Sequence, residues 1–157
     1  MPGKAVCCGA LLQIADTIAI NLCSDMKTTT SWTSGHAFDS FQNGAKIAID
    51  AKAGFSPKAL LLAGLAGCTG IDVVDILEKM KLPFAGLQIE VEAEQTEDYP
   101  KVFKDIHVHY RVGTAEENRS KVQKAIDLSL DKYCGVAAML KKNSSITYTL
   151  TLQPDSF

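Results

Sequence analysis

Ser56-Pro57-Lys58-Ala59-Leu60-Leu61-Leu62-Ala63-Gly64-Leu65-Ala66-Gly67-Cys68-Thr69-Gly70 is the stretch that decides the fold. Ser56 supplies a hydroxyl N-cap, and Pro57 at the first helical position sacrifices no hydrogen bond. The helix is predicted to run to about Lys81, ahead of Pro83. From Ala59 to Leu77 it is apolar nearly all round, interrupted by Thr69, Asp72 and Asp75. A helix without a broad polar face must be covered on several sides. A chain of 157 residues rarely supplies that cover alone, so a partner subunit is expected.

Upstream, β-branched and aromatic residues from Thr28 to Phe41 read as one strand with a bulge at Ser34-Gly35. Asn43-Gly44 is a hairpin signal, because both residues tolerate positive φ, and Ala45 to Asp50 is the returning strand. Downstream, Leu87, Ile89, Val91 and Ala93 alternate with polar residues, as do Ile106, Val108, Tyr110 and Val112. Both runs read as half-exposed strands, with Tyr99-Pro100 in the turn between them. Thr114-Ala115-Glu116-Glu117 has capping-box spacing and opens a helix with the stripe Val122, Ala125, Ile126, Leu130 and Tyr133. Gly135 interrupts that helix, Val136 to Lys142 continues it, and Ile146 to Leu152 is a last strand. The predicted order ββ-α-ββ-αα-β, with no repeat and no linker, is one α+β domain over residues 26–157.

Composition excludes several classes of function. A net charge of -2 and the lack of a basic run give no reason to expect nucleic acid or a membrane surface. Ala10 to Leu22 is too short and too polar for a membrane span. Residues 1–25 break the regular pattern and read as an N-terminal extension, with Met26 a natural start. Five cysteines at irregular spacing are not a secreted disulfide framework, and none has zinc-site spacing. A reducing cytoplasm is the expected location.

Cys68 and Cys134 are the candidate reactive residues. Free cysteines are commonly core residues, so packing and chemistry both remain open for the pair on residue grounds. The thiolate is the reactive form, and the start of the helix lies twelve residues, roughly 18 Å, before Cys68, too far to help. Asp72, one turn on, disfavours a second negative charge nearby, so activation calls for a cation brought in by folding or by a second subunit. Gly64, Gly67 and Gly70 would let another element approach. His107 and His109 form an HxH pair, but they occupy the polar face of a strand and read as solvated. His36 is a lone imidazole, and Arg111 and Arg119 are the only arginines. There is no phosphate loop, GxSxG or dinucleotide fingerprint.

Two stretches carry a resemblance. Ser56-Pro57, Leu60-Leu61-Leu62-Ala63 and Ala66-Gly67-Cys68-Thr69-Gly70-Ile71-Asp72-Val73-Val74 form the first. Ala125-Ile126-Asp127-Leu128-Ser129 leading into Lys132-Tyr133-Cys134 is the second. Together they resemble the OsmC/Ohr family of osmotically induced and organic hydroperoxide resistance proteins, over about Met26 to Leu152. The resemblance implies an OsmC-like fold, with antiparallel sheets packed around two long central helices in an intertwined homodimer. It implies a peroxidase in which Cys68 attacks an organic hydroperoxide and Cys134 resolves the sulfenic acid as a disulfide. Reduction would come from a dithiol, such as a lipoylated protein, with no cofactor or metal. Two departures stand out. Lys58 occupies the position of the family's Glu, and the activating Arg of the first hairpin falls near Gly35 and His36, leaving His36 as the candidate activating group. An imidazole is charged only in part near pH 7. The alternative is a non-catalytic dimer that binds an apolar ligand or senses oxidative stress through its thiols.

Overall fold

A computed structural model describes residues 26–154. The expected N-terminal extension, with Cys7, Cys8 and Cys23, lies outside the described residues.

The first sheet is an antiparallel meander of β1 (Thr29–Ser34), β2 (Ala37–Gln42) and β3 (Ala45–Asp50), in that order. The region expected as one bulged strand is therefore two. Gly35, at φ +50, turns the chain back with His36, a conformation that costs glycine little. Asn43 and Gly44, both at positive φ, make the second hairpin as expected.

The central helix α1 runs Pro57–Lys79, and the Ser56 hydroxyl accepts from the Ala59 amide at 3.2 Å. It stops two residues short of the predicted end, because Lys81 adopts a left-handed conformation and the Leu82 amide bonds back to the Leu77 carbonyl. This is the usual way helix ends satisfy their last carbonyls.

The second sheet has the order β4 (Leu87–Gln95), β5 (Phe103–Gly113) and β6 (Ser145–Gln153). β4 and β5 are antiparallel but β5 and β6 are parallel, so the sheet is mixed, where antiparallel sheets were expected. The helical connection makes this possible, since a parallel neighbour needs a crossover of a dozen or more residues. That connection comprises a 3-10 turn (Glu116–Asn118), α2 (Arg119–Leu128), a π-turn (Ser129–Tyr133) and α3 (Gly135–Leu140). The predicted capping box does not form. Thr114 instead donates to the Pro83 carbonyl and accepts from the Asn118 amide group.

The core lies between α1, the mixed sheet and α2. Leu65, Thr69, Val73 and Leu77 of α1 are buried at four-residue spacing against Ile106, Val108, Tyr110 and Val112 of β5 and Val122, Ala125 and Ile126 of α2. Each large apolar side chain buried this way contributes about 1.5–3 kcal/mol. By length and composition α1 would also pass for a membrane span, but this stripe belongs to the core of the domain.

Another face of α1 is left open among the described residues. Leu61 is 52% and Ile71 66% exposed, and a side chain at Gly64 or Gly67 would meet nothing within 4 Å. Of the three glycines only Gly70 passes close to another element, Ile89 of β4. Among the described residues the first sheet makes its extensive contacts within itself, with Trp32, Phe41 and Ile47 open to solvent.

Candidate active site

Cys68 sits mid-way along α1, one residue before the buried Thr69 and one turn before Asp72. Four-residue spacing puts Cys68 and Asp72 on one face of the helix. Cys134 arrives from the other side. Its amide bonds to the Ser129 carbonyl at 2.8 Å, an i to i+5 bond that closes the π-turn. Its own backbone is extended, and its sulfur accepts from the Ala137 amide at 3.3 Å. Cys134 therefore caps the start of α3, where the sequence placed it at the close of a helix. Such π-turns inside helical runs are frequent at functional sites.

The two cysteines, 66 positions apart in the chain, meet here. The sulfurs of Cys68 and Cys134 and a carboxylate oxygen of Asp72 all lie within 4.8 Å of one another. Both thiols are free; Cys68 is half-buried and Cys134 is 2% exposed. Burial, with the neighbouring Cys68 thiol, pushes the Cys134 thiol up to about 11, against the lowering effect of the Ala137 amide. Cys134 is thus a neutral thiol near pH 7.

A line of hydroxyls supports the cluster. Ser129, fully buried, lies 2.9 Å from Asp72 Oδ2 and 2.8 Å from Thr69 Oγ1, and Thr69 Oγ1 lies 2.7 Å from the Tyr110 hydroxyl. An ionised carboxylate can only accept, and each hydroxyl has one hydrogen. The Ser129 hydroxyl is placed to donate to Asp72 Oδ2 and to Thr69 Oγ1, its one hydrogen serving either acceptor, and Thr69 and Tyr110 share the next hydrogen. Burial keeps the Tyr110 phenol protonated far above its ordinary range. Sequence reasoning singled out none of Thr69, Ser129 and Tyr110. The only signal was polar side chains at core positions of otherwise apolar stripes.

Other candidates fall elsewhere. His36 is exposed in the turn between β1 and β2 and is not part of the cluster. Lys58 donates to the Gln95 side chain and, at 2.8 Å, to the Lys101 carbonyl, clasping the β4–β5 loop. His107 bonds to Thr147 and Thr149, and His109 to Thr151, along the polar face of the mixed sheet. Among the described residues Asp72 makes no ion pair. It also lines an open cavity of about 480 Å³ with Ile76, Lys79, Leu128 and Tyr133.

Comparison with known proteins gives a consistent result. A model of the family described as "OsmC-like protein" matches residues 49–149. Protein YhfA of Escherichia coli K12 is 33% identical over 128 residues, 79% of this chain and 96% of the relative. A hypothetical protein from Aquifex aeolicus superposes with a TM-score of 0.73 at 28% identity, covering 83% of this chain and 98% of that one. The organic hydroperoxide resistance protein OhrB of Bacillus subtilis superposes at 0.58 and 21% identity, covering 80% and 97% respectively, a likeness of fold.

Proposed function

The chain belongs to the OsmC-like protein family, and on that premise we propose that it is a thiol-dependent peroxidase that reduces organic hydroperoxides. One observation carries the reading: two free cysteines from distant parts of the chain hold their sulfurs within 4.8 Å. A disulfide bond is about 2.05 Å long, so a short side-chain adjustment joins them.

In the proposed cycle the Cys68 thiolate attacks the terminal oxygen of the hydroperoxide. The O–O bond breaks, the alcohol leaves after taking a proton, and Cys68 becomes a sulfenic acid. The Cys134 sulfur then displaces that hydroxyl, which departs as water, and a Cys68–Cys134 disulfide remains. A dithiol, such as a lipoylated protein, returns both residues to thiols and is itself oxidised to a disulfide. The division of labour follows burial, since Cys68 is the more accessible sulfur and Cys134 is held as a neutral thiol.

The protein works as a homodimer in this reading. A second copy covers the bare face of α1 and the unpacked first sheet, and it carries His36 toward the thiols as the activating cation. A reducing cytoplasm is the compartment that keeps both thiols available. The experiment is reaction with one equivalent of an organic hydroperoxide, followed by mapping of the cysteine products. A second reading, a dimer that binds an apolar ligand without catalysis, draws on an open cavity of about 680 Å³ beside Gly67, Ile71, Phe84 and Leu87. Unreacted thiols after peroxide would select it.

A further inference from the structure

We propose that Cys68, Cys134 and Asp72 form a binding site for a thiophilic divalent cation, with Zn2+ as its chemical type. The three ligand atoms, within 4.8 Å of one another, converge from two elements. α1 supplies Cys68 and Asp72 one turn apart, and the π-turn delivers Cys134. Zinc bonds of about 2.3 Å to sulfur and 2.0–2.2 Å to oxygen place tetrahedral ligand atoms somewhat under 4 Å apart, a small contraction from the arrangement seen. Two sulfurs and one oxygen are a borderline-soft donor set, which favours zinc over magnesium or calcium.

Three features beyond the cluster point the same way. Asp72 Oδ2 is held by the fully buried Ser129 hydroxyl, itself fixed by Thr69 and Tyr110. That bond orients the carboxylate, as outer partners orient carboxylate ligands. Among the described residues, no lysine, arginine or histidine pairs with Asp72 or hydrogen-bonds to either sulfur. Asp72 also lines an open cavity with Lys79 and Tyr133, so the carboxylate edge of the cluster faces solvent. Binding converts two thiols to thiolates and releases two protons to solvent, so the bound complex carries one net negative charge. Metal and hydroperoxide then compete for the same two sulfurs. Metal binding requires no peroxide, so its failure and that of the peroxidase reading are separate results.

The test uses the reduced full chain and Co2+ as a spectroscopic probe. One equivalent should give thiolate-to-cobalt absorption with tetrahedral ligand-field bands, displaced by Zn2+. The bands should persist when Cys7, Cys8 and Cys23 are all serine and vanish in Cys68→Ser and Cys134→Ser. Asp72→Asn should weaken binding, and Ser129→Ala should do so about tenfold through the lost outer partner. Zn2+ should also protect Cys68 and Cys134 of the unaltered chain from alkylation, a readout that needs no variant. Bands that survive Cys68→Ser, bands lost with the three N-terminal cysteines, or alkylation unchanged by Zn2+ would each overturn the proposal.

Discussion

The Ser129 hydroxyl lies 2.9 Å from Asp72 Oδ2, joining the π-turn to α1 across 57 positions of the chain. Ser129 meets both Asp72 and Thr69, whereas Tyr110 meets only Thr69, so the members of the line are unequal. Ser129→Ala removes the hydroxyl that meets Asp72 and Thr69 together, and leaving buried partners unmet costs about 1–3 kcal/mol. Tyr110→Phe removes only the terminal hydroxyl and should cost less. Urea unfolding of both variants checks the order, and equal losses would contradict the central place of Ser129 in the line.

The two cysteines should be unequal in peroxide. Cys68→Ser should abolish consumption of an organic hydroperoxide. Cys134→Ser should turn over once and stop as a sulfenic acid, which dimedone would trap on Cys68. Stopped-flow measurement of peroxide loss distinguishes the two, and full activity in both variants would remove Cys68 and Cys134 from the reaction.

The raised Cys134 thiol sets an alkaline limit. Its folded value, about 11, exceeds the ordinary 9.0, so the folded state binds more protons between those values than the unfolded one. Linkage then makes stability fall as pH rises. The contribution is complete below about pH 9 and gone above about pH 11. The reduced protein should lose stability across that window, and Cys134→Ser should flatten the slope. Denaturant midpoints at a series of pH values are the measurement.

Lys58, which the resemblance sets at the position of a family Glu, is occupied with Gln95 and the Lys101 carbonyl. It lies ten residues, about 15 Å along the helix, from Cys68. Lys58→Ala should therefore cost about 1 kcal/mol of stability and leave the rate of Cys68 alkylation unchanged. A several-fold change in that rate would place Lys58 in the thiol's environment after all.

The bare face of α1 predicts assembly. Light scattering on the reduced protein should give the mass of two copies. Ile71→Asp, on the exposed side, should yield monomer or aggregate while leaving the core stripe untouched. A monomeric parent chain would contradict the proposed cover.

What could be read from the sequence divides along physical lines. The cap at Ser56, the turn at Asn43-Gly44 and the alternation in β4 and β5 depend on near neighbours, and each is found where the pattern placed it. The turn at Gly35 was missed because a glycine in a β-rich run suits a bulge as well as a reversal. The capping box failed because Thr114 found a partner 31 positions away at Pro83, a tertiary contact no local pattern records. In the site, Cys68 and Asp72 share a helix face by spacing alone. The closeness of Cys134, and the hydroxyl line through Ser129, depend on a π-turn that leaves no clear mark on composition.

The most direct test is intact-mass analysis after one equivalent of an organic hydroperoxide, on a chain with Cys7, Cys8 and Cys23 replaced by serine. The expected result is rapid loss of two hydrogens, mapped to a Cys68–Cys134 disulfide and reversed by a dithiol. An unchanged mass, or oxygen added to Cys68 with no disulfide, would contradict the account.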